Sequence, residues 1–251
     1  MVKIEELTNY LDNLLKIKEI KDESLNGLVV ENKGRVSKVA LAVDASLETF
    51  KRAKGAGADF LFVHHGLWWG RCLPLRGAIF QKIKFLIEND IALYTAHLPL
   101  DLHPEFGNNS QLVKMLEWTV RGGFGKYGDL ILGKEVFFNP PQKREELVRE
   151  IKDKLGIKPL LWDFGPLKIK RLGCVCGGAI NLLPEAVEKG LDAYITGEPK
   201  HSYYWMAKEE KINVIFLGHY LSETLGVKAI GKDIEDKFGL EVEFLFLPTG
   251  H

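Results

Sequence analysis

The stretch VALAVDASLETFKRAKGAGADFLFVHHG (Val39–Gly66) decides the fold, because its pattern returns as LGCVCGGAINLLPEAVEKGLDAYITGEP (Leu172–Pro199). Each copy reads as an apolar strand, a small-residue turn, a helix stopped by glycine, an aspartate, and a second buried strand ending in a polar tip. Gly57 and Asp59 correspond to Gly190 and Asp192. Further on, ENDIALYTAHLPLD (Glu88–Asp101) corresponds to EEKINVIFLGHYLSE (Glu209–Glu223), which sets His97 opposite His219 and Asp101 opposite Glu223. An internal repeat of this kind predicts two similar α/β/α lobes. The expected boundaries are 1–125 for the first lobe and 126–251 for the second, with 126–167 as a short connecting region and intertwined lobes as the alternative.

Around the two copies, MVKIEELTNYLDNLLK, AIFQKIKFLIEND, PQKREELVREIKDKLG and ETLGVKAIGKDIEDKFG have helical spacing, and EVEFLFLP reads as a final strand. GDLILGKEVFF reads as an edge strand and the preceding GGFGKYGD as a turn feeding it, since its glycines lack the spacing of a phosphate cradle. Strands alternating with helices predict an α/β protein with largely parallel, covered sheets.

Composition narrows the function classes. The 251 residues carry 34 basic and 34 acidic side chains and are 46% hydrophobic. That balance describes a globular protein without the basic excess of a dedicated nucleic-acid or membrane-surface binder. The start has neither the apolar core nor the cleavage site of a signal peptide, and no uncharged run reaches membrane-spanning length, so the expected compartment is the cytoplasm. Three cysteines are too few for a disulfide scaffold. Cys174 and Cys176 in CVCGG fit a buried strand whose alternate residues share a face.

The chemistry concentrates at strand exits. His64 and His65 leave the strand DFLFV together. His97 with Asp101, and His219 with Glu223, each form a histidine and a carboxylate four residues apart after an apolar strand. On a helix that spacing places both side chains on one face. Duplication of an α/β unit reproduces glycine turns; the same two demanding residues at the same offset call for a chemical reason. Ligands bind open α/β sheets beyond the carboxyl ends of the strands, where all these residues fall. Imidazole and carboxylate without thiolate suit Zn, Mn, Fe or Co. Two such ions, about 3.5–4 Å apart, make hydroxide available at neutral pH and polarise a phosphoryl or acyl oxygen. His97 or His201 at the rim could then carry a proton. A purely structural metal site is the alternative. The aromatics of LWWG (Leu67–Gly70) suit a core or subunit contact, or a platform for a substrate ring.

The motifs VHHG (Val63–Gly66), TAHLPLD (Thr95–Asp101), GNN (Gly107–Asn109), TGEPKH (Thr196–His201) and GHYLSE (Gly218–Glu223) cover nearly the whole chain, in order. In this the sequence resembles the GTP cyclohydrolase I type 2 homolog family, the dinuclear-metal-centre or Nif3-like proteins. The resemblance implies two lobes with a two-metal site in the cleft between them, ligated by His64, His65, Asp101, His219 and Glu223. It leaves open whether Asp101 or Glu223 bridges, and whether His97 ligates or stands behind the ligands. It also implies two divalent ions per subunit and a ring-shaped homohexamer, a trimer of dimers. The expected activity is metal-dependent hydrolysis of a small phosphoester or nucleotide-like molecule. The competing expectation is a ring-shaped metal-binding adaptor or nucleic-acid-binding protein without catalysis. No guanine reader or G-x-x-x-x-G-K-[ST] loop accompanies the cyclohydrolase name.

Overall fold

The computed structural model describes residues 1–250. In chain order the elements are β1 (Val2–Lys3), α1 (Ile4–Leu14), β2 (Gly27–Val30), β3 (Arg35–Val36), β4 (Lys38–Asp44), α2 (Leu47–Gly55), β5 (Phe60–His65), α3 (Gly77–Glu88), β6 (Ala92–Thr95), α4 (Leu98–Asp101) and α5 (Asn108–Met115). There follow β7 (Val120–Tyr127), β8 (Leu130–Lys143), α6 (Arg144–Leu155), β9 (Leu160–Asp163), β10 (Lys168–Cys174), α7 (Leu183–Glu188), β11 (Ala193–Thr196), α8 (Tyr204–Glu209), β12 (Asn213–Phe216), α9 (His219–Phe238) and β13 (Glu241–Phe244). Two compact units result. One comprises Met1–Phe106 with Gly226–Leu247, and the other Gly107–Leu225 with the chain from Pro248. The units are not two successive halves of the chain, since most of α9 and all of β13 belong to the first.

The first unit holds a five-stranded sheet in the order β13-β4-β5-β6-β2. Its first four strands run parallel, and β2 closes the edge antiparallel to β6. Strand alternation sorts the side chains cleanly. Val39, Leu41, Phe60, Phe62, Ala92 and Tyr94 pack with α1 and with Val227, Ile230 and Ile234 of α9. Ala40, Ala42, Leu61, Val63 and Leu93 pack on the other face with Phe50 and Ala53 of α2 and Leu86 of α3. Both faces are covered, which is why these strands read as nearly unbroken apolar runs.

The second unit holds a six-stranded sheet, β7-β8-β10-β11-β12-β9, in which β10, β11 and β12 are parallel and the rest antiparallel. Ile195 and Ile215 face α6, while Tyr194 and Val214 face α7 and α8. Cys174 and Cys176 are buried in one cluster and Val175 in the opposite one, as alternation requires. Burial pushes the Cys174 thiol up to about 12, so no thiolate is available there near neutrality.

Two expectations are corrected. Leu130–Phe138 of GDLILGKEVFF lie in β8, an interior strand between β7 and β10, and the edge on that side is β7 itself. GGFGKYGD is mostly strand rather than turn: Gly122–Tyr127 belong to β7, and the turn follows at Gly128.

The same local construction recurs in each unit. Asp59 accepts the backbone amides of Ser37 and Lys38, and Asp192 those of Lys170 and Arg171, at identical separations of 22 and 21 residues. Each aspartate, just ahead of the second parallel strand, thereby ties that strand's start to the strand before it. Gly57 and Gly190, the helix stops before them, both take positive φ (75° and 61°), where glycine carries no Cβ penalty. Among the described residues no helix is long and apolar enough to cross a membrane.

Candidate metal centre

In the first unit, β5 ends at His65, and the rings of His64 and His65 lie 4.8 Å apart although strand alternation alone would part them. The chain turns at Gly66, where a side chain would collide with Thr95. His64 is fully buried, and its Nδ1 is 2.9 Å from the Ala96 carbonyl oxygen. His65 Nδ1 is 2.8 Å from Asp44 Oδ1. His97 follows β6 and opens α4; the short helix, with Pro99 in its first turn, carries Asp101 back within 3.6 Å of His64 Nε2. His97 Nδ1 lies 3.0–3.1 Å from both carboxylate oxygens of Asp22. Burial alone would push the Asp22 carboxyl up; the hydrogen bond and charge of a protonated His97, with hydrogen bonds from Asn26 and the Ser24 amide, outweigh it and hold the group down to about 2. His64, His65 and His97 offer ring nitrogens within 4.8 Å of one another. Trp69, 44% exposed, stands edge-on to His97 with ring centroids 4.8 Å apart.

In the second unit, α9 begins at His219, so His219 and Glu223 share its first turn and one face; Nε2 and Oε2 are 3.2 Å apart. His219 Nδ1 faces Glu198 Oε2 at 3.3 Å. The glycine pair after β10 makes room for both. Gly177 has φ 73°, and a Cβ there would run into Glu223 Oε1; one at Gly178 would crowd His219. Ser222 Oγ accepts the Gly177 amide and donates to the His219 carbonyl, locking the glycine turn to the helix start. Asn109, from the GNN motif, accepts the Cys176 amide at 2.7 Å and donates to Leu132.

A common rule connects these environments. The Nδ1 of each of the four histidines meets an acceptor from its own unit: a carbonyl for His64, and Asp44, Asp22 and Glu198 for the others. Anchoring one ring nitrogen fixes the tautomer and leaves Nε2 for a ligand, the usual arrangement of metal-binding imidazoles. In each unit the donors are imidazole and carboxylate without thiolate, the chemistry that suits a divalent ion of the Zn, Mn, Fe or Co group. Sequence reasoning missed the three acidic anchors. Glu198 stood inside a quoted motif, and Asp44 at the end of an apolar strand, but neither position by itself marks a partner. His201, the other candidate for proton transfer, is exposed at the start of a 3₁₀ turn and joins neither group.

The model of the family described as Duf34/NIF3 (NGG1p interacting factor 3) matches residues 2–250. The chain belongs to this family. It is 42% identical over 244 residues to the GTP cyclohydrolase 1 type 2 homolog of Archaeoglobus fulgidus, covering 97% of this chain and 98% of the relative. The homolog of Pyrococcus abyssi is 40% identical, with 98% of each chain covered. Among solved structures, TTHA1606 from Thermus thermophilus superposes with a TM-score of 0.90 at 38% identity over the full length of both chains. Reduced HcgD from Methanocaldococcus jannaschii gives 0.86 at 27% identity, with 98% of each covered. As a member of the DUF34/NIF3 family, the chain carries a candidate His/Glu metal-ligand grouping on an α/β scaffold.

Proposed function

We propose that the chain binds two divalent ions through His64, His65, Asp101, His219 and Glu223, and hydrolyses a small phosphoester or nucleotide-like substrate. The observation that carries this reading is the anchoring of His64, His65, His97 and His219 at Nδ1, repeated in both units. Such ions, when bound, supply Lewis acidity toward a phosphoryl or acyl oxygen and make water acidic enough to attack at neutral pH. The protein's own groups do the rest. Asp44 and Glu198 hold the His65 and His219 rings in place. His97, backed by Asp22, accepts or donates a proton at Nε2. His201, being exposed, could exchange protons with solvent in the same reaction. Assembly into a homohexamer, and the origin of the two lobes in one duplicated unit, belong to the same reading. The matched separations around Asp59 and Asp192 support the duplication.

The test is reconstitution of the full chain with Mn, Fe, Co or Zn, ion counting by elemental analysis, and assay on a panel of phosphoesters and nucleotides. Two ions per chain and a turnover lost in His97→Gln are expected. An ion count below one per chain, or a metal-loaded protein inert on the whole panel, would remove the hydrolase reading. Sedimentation analysis tests the hexamer.

A further inference from the structure

We infer that Asp22 is a positioning residue that fixes the neutral His97 ring in the tautomer with its proton on Nδ1, leaving Nε2 bare. The chemical use of that bare nitrogen rests on the reading that His97 moves a proton; the tautomer itself does not.

The Asp22 side chain is only 3% exposed, in a segment between α1 and β2 that has little regular structure of its own. Its hydrogen-bond partners are all donors. His97 Nδ1 reaches both oxygens, the Leu98 amide and Asn26 Nδ2 reach Oδ2 at 2.9 Å each, and the Ser24 amide reaches Oδ1 at 3.2 Å. So many donors favour the ionised carboxylate. An ionised carboxylate only accepts hydrogen bonds, so the proton between Asp22 and His97 must sit on Nδ1.

The segment is braced as well as bonded. Asn26 Oδ1 accepts the His97 backbone amide at 2.8 Å, so the same loop holds both the ring and the main chain of His97. The loop is in turn tied to the chain just beyond the His64–His65 pair. Leu25 N donates to the Trp68 carbonyl, Gly70 N donates to the Glu23 carbonyl, and Ser24 forms a bridge with Trp69. Trp69 then flanks the His97 ring edge-on. A ring held at Nδ1, at its own amide and against an indole has little freedom to flip.

A merely structural Asp22 would tolerate asparagine, because the amide matches its shape. A positioning Asp22 would not. In Asp22→Asn the side-chain oxygen belongs at the Oδ2 place, where the Leu98 amide and Asn26 converge, which turns the NH₂ toward His97. One of the two oxygens beside Nδ1 then becomes an N–H donor and the carboxylate charge is gone, which disfavours a proton on Nδ1 and shifts the ring toward the Nε2–H tautomer. The precedent is the wrong-tautomer effect of Asp-to-Asn replacement beside a catalytic histidine.

The experiment is ¹⁵N–¹H long-range NMR of the full, histidine-labelled chain loaded with diamagnetic zinc, in alkaline buffer where free imidazole is neutral. The His97 signals are assigned by their loss in His97→Gln. The expected result is a pyrrole-type Nδ1 and a pyridine-type Nε2 in the wild type, with the population shifted toward the Nε2–H tautomer in Asp22→Asn and zinc content unchanged. A wild-type His97 protonated on Nε2, or a variant with the wild-type pattern, overturns the proposal. Should Asp22→Asn not fold, the wild-type spectrum alone decides. Failure of the functional reading shows separately, as a zinc- or manganese-loaded wild type without hydrolytic activity whose His97 tautomer is nonetheless as stated.

Discussion

Asp44 and His65 are ladder partners in the parallel strands β4 and β5, and their side chains meet at 2.8 Å through Oδ1 and Nδ1. Residues paired in register share a face of the sheet, so this anchor follows from strand pairing rather than from a separate loop. Replacing Asp44 with alanine should leave the ladder intact and free the His65 ring to rotate. Loss of such a partner typically lowers metal affinity about 10–100-fold. Competition against a chelator for zinc should show that loss, with Asp44→Asn falling between wild type and alanine. Affinity unchanged in Asp44→Ala would mean that His65 needs no anchor or is not a ligand.

The glycine turn behind Glu223 makes a second prediction. Gly177→Ala places a Cβ against Glu223 Oε1 and forces a left-handed backbone on a residue that resists it. The backbone part alone costs about 1–2 kcal/mol, and the displaced carboxylate should lower the ion count. Glu223→Ala removes the obstacle, so the double variant should be more stable than the sum of the two single changes. A thermal-melt cycle on the four proteins measures the coupling. Strict additivity would show that the turn and the carboxylate do not interfere.

Much of this was legible in the sequence because it rests on local periodicity. Alternation and glycine stops mark β4, β5 and β6 and their counterparts β10, β11 and β12. The strands that escaped notice are those whose identity depends on a distant partner. β2 is the four-residue GLVV at a sheet edge, β9 is the short LLWD, and β7 is so rich in glycine that it resembles a turn until β8 pairs with it. The site divides the same way. Histidine and carboxylate four residues apart can be read from spacing, because one helical turn brings them together. The anchors cannot: Asp44 is 21 residues from His65, and Asp22 is 75 from His97. Only the folded chain makes those pairs.

Asp22 should also leave a mark on acid stability. Its carboxyl is held down to about 2 from an ordinary 3.8, so the folded state favours the ionised form. The resulting stabilisation, about 2 kcal/mol, is fully present above the ordinary value and disappears as pH falls through about 2. The stability gap between wild type and Asp22→Asn should therefore be widest above about pH 5 and narrow steadily toward about pH 2. Urea midpoints across that range test it. A gap that stays constant with pH would show that ionisation of Asp22 contributes nothing to folding.

The final prediction concerns how α9 is seated on its sheet. Gly231 lies where a Cβ would run into Leu41 Cδ1 and press on Val242 Cγ1, so glycine is what permits the close approach of α9 to β4 and β13. Leu41 is buried in the cluster that joins the sheet to α1 and α9. In an exposed helix Gly→Ala would raise stability by up to about 1 kcal/mol; here overpacking should reverse the sign and cost about 1–3 kcal/mol. Leu41→Ala alone leaves a cavity and should cost about 2–5 kcal/mol. Combined, the added methyl moves into the space the leucine vacates. The pair should then be less destabilised than either the sum of the single changes or Leu41→Ala alone. Denaturant unfolding of the four proteins reads this directly. A stabilising Gly231→Ala would show that the helix can lift from the sheet without penalty and that its glycine is not a packing requirement.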